Sequence, residues 1–335
     1  MKKEDYKESL PSVTISIALY NAKDYIVNCL ESVAAQTYLG TIECIIVDDC
    51  GTDGSVSLVE SFINSYNGQI RFKIVHHSKN LGLSEARNTG IKEANGDYIY
   101  FLDDDDTIIP ECIEMMIGSL LKHPDSQIVF AGAEASNGKF KWLDYTKKQL
   151  PDYSNDHDWL QRSMLKRFDF GMTAWNKLIS RSFIQENNLS FVHGLVHDDE
   201  AWNFDLSKYI KSASFVKHNT YMYNLHDNSI TVGVSNILKI ERRFALWYVL
   251  LSKLDKKNKE MQIKAISLFI IRNTRSHFPQ KHKTSLCLLF MKLSWRSCSL
   301  LSIPLFLQGL LALCCPSLYR NHYICSCFRF FIRIR

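Results

Sequence analysis

Apolar and polar positions along the first 135 residues switch repeatedly between two periods. Val13-Thr-Ile-Ser-Ile-Ala-Leu19 is a β-branched apolar run closed by the polar pair Tyr20-Asn21, which predicts a buried strand and a turn. Over residues 22–35, Tyr25, Ile26, Cys29, Leu30 and Val33 recur at helical spacing. The rhythm then repeats, with strands predicted over 43–47, 71–75 and 97–102 and helices over 55–66 and 84–94. Pro110 suits the first turn of a helix reaching residue 123, and 127–133 is strand-like. Further on, the pattern predicts helices over 156–166, 181–187 and 200–211 and strands over 214–217 and 220–224. Residues 236–277 read as two amphipathic helices.

Strands alternating with helices of 10–15 residues imply βαβ units, hence a mostly parallel, Rossmann-like α/β sheet covered on both faces. Right-handed crossovers bring every strand's C-terminal end to one edge, where such sheets bind ligands. The turns at Asn21, Asp48-Asp49 and Asp103–Asp106 all follow strands directly, so they should converge.

Composition changes the picture in one respect. Residues 1–260 hold 29 Lys and Arg against all 35 Asp and Glu, whereas residues 261–335 hold 11 Lys and Arg and no acid. Residues 297–318 run 22 positions without a charge, but Pro304 and Pro316 leave 11 residues between them. Those give about 17 Å of helix against an apolar bilayer core of about 30 Å. Basic residues flank both ends, including Lys292, Arg296, Arg320, Arg329, Arg333 and Arg335. The extension over 236–335 is therefore expected to be helical and to lie on an anionic membrane surface, the alternatives being a core-packed or oligomer-forming helix and a true span. Phe328, Phe330, Phe331 and Ile332 between the arginines suit lipid better than nucleic acid. The opening MKKEDYKESLPS lacks an apolar signal core, so the expected location is cytoplasmic, peripheral on the inner face of the plasma membrane. The ten cysteines then read as reduced thiols, with Cys325-x-Cys327 too closely spaced for a zinc site.

Three segments carry chemistry. In Gly96-Asp-Tyr-Ile-Tyr-Phe-Leu-Asp-Asp-Asp-Asp-Thr107, four successive carboxylates after a buried strand repel one another unless a cation offsets them. Hard oxygen ligands suit Mg²⁺ or Mn²⁺, which can bridge the phosphates of a nucleoside diphosphate. Alternatively the run is a solvated acidic loop; an EF-hand is excluded by the missing Gly at loop position six and Glu at position twelve. In Val47-Asp-Asp-Cys-Gly-Thr-Asp-Gly-Ser55, Asp48 or Asp49 could accept from a base edge, while Asp53 suits an Asx-turn. In Asn80-Leu-Gly-Leu-Ser-Glu-Ala-Arg-Asn-Thr-Gly90, Gly82 permits a tight turn and Ser84 is an N-cap. Arg87, one turn in, could bind phosphate bidentately or form a surface ion pair.

Taken in order, the Tyr20-Asn21 turn, Val47-Asp48-Asp49, the Asn80…Ala86-Arg87-Asn88 block and Phe101-Leu102-Asp103-Asp104-Asp105-Asp106 resemble the family 2 glycosyltransferases of bacterial polysaccharide and O-antigen synthesis. The resemblance covers residues 13–231 and implies a GT-A fold over 1–235, with a nucleotide-sugar-binding half (1–135) and an acceptor half (136–235). It implies donor contacts from Tyr20, Asn21, Asp48, Asp49, Arg87, Asp103 and Asp104, and Mn²⁺ or Mg²⁺ at Asp103 and Asp105. Cys50 stands where the family usually has Gly. Gly194-Leu-Val-His-Asp-Asp-Glu-Ala-Trp-Asn-Phe204 is similar to the family's Glu-Asp pair opening a helix, with Asp198 in place of the Glu. Asp199 is then the base that deprotonates the acceptor hydroxyl. Trp175-Asn176-Lys177 resembles an acceptor-side segment in which Trp175 could stack on a sugar, burial being the commoner fate of a Trp. In Tyr221-Met-Tyr-Asn-Leu-His-Asp-Asn-Ser-Ile-Thr231, Asn224 and His226 stand where Arg is usual; His226 is assigned to the acceptor side or to diphosphate or metal contact.

The implied activity is inverting transfer from a nucleotide-sugar, a UDP-sugar by the family's pattern, to a glycan or polyprenyl-linked hydroxyl. An inactive scaffold subunit and a nucleotidyltransferase are the alternatives, the latter lacking a Gly-rich basic loop after the first strand. A dinucleotide oxidoreductase is excluded by Leu19-Tyr20-Asn21-Ala22 where G-x-G-x-x-G is needed.

Overall fold

The structure is a computed structural model and describes residues 10–226 apart from 137, 139, 140, 166–169, 171 and 172, together with isolated positions between 242 and 262. The chain divides into two compact units, Met1–Gly233 and Val234–Arg335, and all of the following elements lie in the first. The expectations for 236–335 fall outside the described residues. No helix among the described residues is long and apolar enough to cross a membrane.

The first half forms as its periodicity dictates. Strands β1 (Val13–Leu19), β2 (Ile42–Asp48), β3 (Arg71–His76) and β4 (Tyr98–Asp103) alternate with helices α1 (Ile26–Ala34), α2 (Ser55–Ser65) and α3 (Leu83–Glu93). Each boundary falls within a few residues of the pattern-based one. α3 opens at Leu83 behind Gly82, whose φ of 91° is a conformation Gly adopts without strain. Ser84, expected as the cap, sits inside the first turn and its hydroxyl donates to the Leu195 carbonyl at 3.5 Å.

Beyond β4 come β5 (Thr107–Ile108), α4 (Cys112–Lys122), β6 (Ile128–Ala135), β7 (Tyr153–Ser154), α5 (His157–Leu165), β8 (Lys177–Ser180), α6 (Arg181–Glu186), α7 (Asp198–Tyr209) and β9 (Ala213–Tyr223). The sheet order is β3-β2-β1-β4-β8-β6-β9-β5, with β7 also paired to β9. The sheet expected to be mostly parallel is thus mixed. β3, β2, β1 and β4 run parallel, but β8 inserts antiparallel between β4 and β6, and β5 and β7 pair antiparallel with β9. At four residues β8 is too short to show a period, and it begins on a lysine. The two strands expected over 214–224 are one, bent where its polar centre Lys217-His218-Asn219 meets a register shift opposite Gly132.

Successive strand residues alternate between two apolar cores, as the pleat requires. Tyr100, Leu102, Val129 and Ala131 join β1, α1 and α4 on one face. Ile99, Phe101, Ile128 and Phe130 join α5, α6 and α7 on the other. Each fully buried Val, Leu, Ile or Phe contributes about 1.5–3 kcal/mol, which fixes the strand ends that carry the polar turns.

Candidate active site

The acidic run leaves the end of β4, and its four carboxylates meet α3, the turn after β1, and β9 with the residues that follow it. Asp103 Oδ1 accepts from Arg87 Nη2 of α3 at 2.8 Å. Asp104 Oδ2 accepts from the Tyr20 backbone N–H after β1 at 2.9 Å. Asp105 Oδ2 lies 2.7 Å from His226 Nε2 beyond β9, and the His226 ring stacks on Tyr25 with centroids 4.4 Å apart. Asp106 is fully buried, accepting from the Tyr221 hydroxyl at 2.6 Å and the Asn224 N–H at 2.7 Å. Burial pushes the Asp103 carboxyl up to about 6, against Arg87's pull and with Asp105 and Asp199 adding to it. Burial also lifts Asp104 and Asp106 well above the usual range, each helped by its neighbouring carboxylates. Among the described residues no three Asp, Glu, His or Cys side chains form a ready-made metal cage.

Arg87 joins this turn to α7. Its side chain is 3% exposed; Nη1 donates to both oxygens of Asp198 (3.0 and 3.1 Å) and to Asp199 Oδ1 at 3.3 Å. The guanidinium also lies 5.4 Å from the Phe191 ring centroid. A group expected to bind donor phosphate therefore directs its N–H groups to three carboxylates, brought together from positions 103, 198 and 199. The two neighbours on α7 differ. Asp198 is 3% exposed, and burial pushes it up to about 7 in spite of Arg87. Asp199 is 30% exposed; burial works to raise its carboxyl, but Arg87 and hydrogen bonds from Asp198 and its own backbone hold it below the usual range. The Asp199 N–H donates to Asp198 Oδ1 at 3.0 Å, as the open amides of a helix start allow.

Asp48 and Asp49 end β2. Asp49 is 2% exposed and engages His77 Nδ1 at 2.7 Å, Leu81 N–H at 2.7 Å and Gly82 N–H at 2.8 Å. These bonds tie the turn after β2 to the start of α3. Asp48 engages His76 Nδ1 at 3.0 Å and the Gly51 N–H at 3.2 Å. Asn21 Oδ1 accepts from Thr52 N–H at 2.7 Å, locking the turns after β1 and β2 together. The Tyr20 side chain stands 50% exposed beside them. Cys50 adopts φ 60°, the left-handed conformation that favours Gly, and its thiol donates to the His77 carbonyl at 2.9 Å. It is free, as are Cys29, Cys44 and Cys112.

Two expectations change here. Trp175 is only 6% exposed and stacks on Tyr221 (4.2 Å, 10°) and Tyr223 (5.7 Å), so it forms the wall behind the acidic turn instead of an open sugar platform. A broad indole face gains more by burial against two tyrosines than by standing in water. His226, grouped with the acceptor side, lies against Asp105. Asn176 (φ 55°) was passed over, yet it donates to the Ala131 and Gly132 carbonyls (3.0 and 2.6 Å) and accepts from Tyr100 and Thr220 hydroxyls (3.0 and 2.9 Å). Asp106 within the acidic run, Tyr221 within its Tyr-rich segment and Tyr25 on the first helix carry no separate role in the sequence; the structure gives them one as partners of the acidic turn.

Comparison with known proteins agrees with this arrangement. Residues 14–186 match the family described as Glycosyl transferase family 2. The putative glycosyltransferase EpsH of Bacillus subtilis (strain 168) is 33% identical over 282 residues, 82% of this chain and 78% of that protein. The uncharacterized glycosyltransferase YibD of Escherichia coli (strain K12) is 29% identical over 67% of this chain and 64% of its own. The structure of Staphylococcus aureus TarS residues 1–349 with UDP-GlcNAc superposes with a TM-score of 0.67 at 17% identity, covering 97% of this chain and 93% of that one. The mannosyltransferase PcManGT of Pyrobaculum calidifontis, with GDP-Man and Mn²⁺, does so at 0.55 and 15% identity, covering 97% and 86%. At such identities these two speak for the fold alone. With its sequence matched over more than half its length, its fold shared and its acidic turns gathered at one sheet edge, the chain belongs to the family 2 glycosyltransferases and has their GT-A fold.

Proposed function

We propose that the protein transfers a sugar from a nucleotide-sugar to a hydroxyl of a glycan or polyprenyl-linked acceptor in cell-surface polysaccharide synthesis, inverting the anomeric centre. The observation that carries this reading is the contrast within the α7 pair. Asp198 is buried on Arg87, while Asp199 is ionised at neutral pH and exposed enough to meet a substrate, within one guanidinium of the acidic turn. Pairs of carboxyls pushed apart in this way divide acid–base roles between them. Asp199 takes the acceptor's proton, the acceptor oxygen forms its bond to the anomeric carbon, and the bond to the diphosphate breaks with its electron pair leaving on phosphate. One displacement inverts the centre.

The donor lies along the turns after β1, β2 and β4, its base by Tyr20, Asn21, Asp48 and Asp49 and its diphosphate by Asp103, Asp104 and Asp105. Arg87 acts from beneath, as a positioning residue for the carboxylates. Hard carboxylate oxygens suit a divalent cation: Asp105, bonded to His226 at 2.7 Å, and the Asp103 oxygen that does not meet Arg87 are the groups that would hold it, the donor phosphates supplying the remaining ligands. Mn²⁺ or Mg²⁺ held there with donor phosphates completing its coordination would neutralise charge on the leaving diphosphate. Support comes from UDP-GlcNAc in TarS, GDP-Man and Mn²⁺ in PcManGT, and the succinoglycan biosynthesis protein ExoO of Rhizobium meliloti, 37% identical over 33% of this chain. The C-terminal extension would hold the enzyme at the inner membrane surface, near a lipid-linked acceptor.

The test is nucleoside diphosphate release from a panel of UDP-, GDP- and dTDP-sugars with Mn²⁺ or Mg²⁺ and with chelator, with and without lipid-linked acceptor. Metal-dependent release from one donor is expected. Asp199→Asn should lower kcat by roughly 10²-fold or more while donor binding survives; unchanged kcat removes Asp199 from the mechanism.

A further inference from the structure

Lys177 opens β8 with its side chain 2% exposed, and the proposed reaction assigns it no task. Among the described residues no carboxylate pairs with its ammonium. Burial lowers its proton affinity to about 7, with Asp199 opposing and Arg87 adding to the fall. A buried cation without a counter-ion costs several kcal/mol, so its placement calls for a reason.

Its neighbours give one. Nζ donates to the Thr173 carbonyl and approaches Thr173 Oγ1 at 3.4 Å, with the Phe130 ring centroid 5.8 Å away. The same Thr173 carbonyl accepts a second bond, from Asn203 Nδ2 at 2.9 Å, and that Nδ2 also donates to the Asp199 carbonyl at 2.8 Å. Thr173 Oγ1 in turn donates to the Trp175 carbonyl at 3.0 Å. Thr173 thus ties three parts together: its carbonyl meets the Lys177 amine and, through Asn203, the first turn of α7, and its hydroxyl meets the Trp175–Asn176 bend. Asn203 is 3% exposed, so this link runs through protein interior, where its hydrogen bonds do not compete with water.

We propose that Lys177 is a positioning residue for Asp199: its ammonium fixes the Thr173 carbonyl, and Thr173 with Asn203 fixes the helix start that presents the Asp199 carboxylate to the acceptor. The proposal rests on the reading of Asp199 as the base. A side chain that only filled space would be replaced by Met at no loss of turnover, since exchanging a buried charge for an apolar chain of like volume is often neutral or stabilising.

The experiment compares Lys177→Met, Asn203→Ala, the double variant and Asp199→Asn in metal-dependent nucleoside diphosphate release from the donor the panel selects. Lys177→Met is expected to melt at or above the wild-type temperature, keep the donor KM, and lose about tenfold to a hundredfold in kcat. Asn203→Ala should lose kcat in the same way, and the double variant should be no slower than the slower single, because both cut one link. Wild-type kcat in folded Lys177→Met, a loss confined to KM, or losses that multiply would overturn the proposal. If Lys177→Met does not fold, Lys177→Gln, one atom too short for Thr173, carries the same expectations and the same refutations. Asp199→Asn separates the two readings: if it abolishes turnover while Lys177→Met does not, the positioning role alone fails; if it leaves turnover intact, the base assignment fails first.

Discussion

Replacing Arg87 by Met tests whether one guanidinium holds the site together. The side chain is 3% exposed and Met fills most of its volume against Phe191, so the change removes charge far more than packing. Four N–H contacts between 2.8 and 3.3 Å to Asp103, Asp198 and Asp199 disappear together. Stranding buried charge by removing one partner costs about 3–5 kcal/mol, set against a total stability of about 5–15 kcal/mol. In a unit of this size 1 kcal/mol moves Tm by about 2–4 °C, so Tm should fall by roughly 6–20 °C at pH 8. The pH dependence gives the sharper signature. Asp198 is held at about 7 in the folded chain, above an unfolded carboxyl of about 4. A raised folded value means the native state binds the extra proton between those limits, so the ionisation penalty is absent below the lower and grows as pH rises through the upper. Losing Arg87 removes the opposing pull and lifts that value further. The variant's deficit relative to wild type should therefore be full at pH 8 and narrow towards pH 5, read as denaturation midpoints at constant m. An unchanged midpoint at pH 8, or a deficit equal at pH 5 and pH 8, would refute the electrostatic account.

Three further outcomes follow from particular contacts. Asn176→Ala orphans two carbonyls and two hydroxyls in the core and should cost about 3 kcal/mol or more; Asn176→Gly, which relieves the φ of 55°, should recover only a small part, as denaturant midpoints will show. Cys50→Gly removes a left-handed non-glycine residue at the loss of one weak thiol bond, so Tm should hold or rise by a few degrees and donor release should be unchanged. His226→Ala should raise the Mn²⁺ concentration for half-maximal donor release several-fold while leaving Tm within about 2–4 °C; an unchanged metal requirement would remove His226 from the cation site.

The parallel half of the sheet was legible because β1, β2 and β4 are buried almost throughout and end in polar turns, while the edge strand β3 alternates polar and apolar residues over Arg71–His76. The second half was not. β8 has four residues, and β5 and β7 two each, so no period can appear; they exist because tertiary neighbours supply their partners. The acidic turns and the α7 pair were found as motifs, yet which carboxylate meets which partner was hidden. Asp103 through Asp106 are chemically identical in sequence and diverge only because the turn points each at a different partner residue. Trp175 likewise has one sequence reading open to solvent and one closed, and Tyr221, 46 positions on, decides it.

The run of four aspartates is accordingly a joint as much as a ligand. Asp104 fastens the β1 turn, Asp106 fastens β9, and Asp103 reaches Arg87 and through it α7, leaving Asp105 with His226 as the pair least committed to holding the fold. Of the six carboxyls gathered here, Asp103, Asp198 and Asp199 share the Arg87 guanidinium, and burial raises Asp103, Asp104, Asp106 and Asp198, so a cationic ligand would gain affinity by favouring their ionised forms. Around this joint Asn21, Cys50, Asn176 and His197 all hold left-handed φ values between 52° and 68°. Each costs of order 1 kcal/mol or more, and for three of them a side-chain bond offsets part of it: Asn21 to Thr52, Cys50 to His77, Asn176 to four partners. Bonds of this kind hold each strained turn in one geometry, so the side chains they carry are presented from a backbone already fixed in the folded chain.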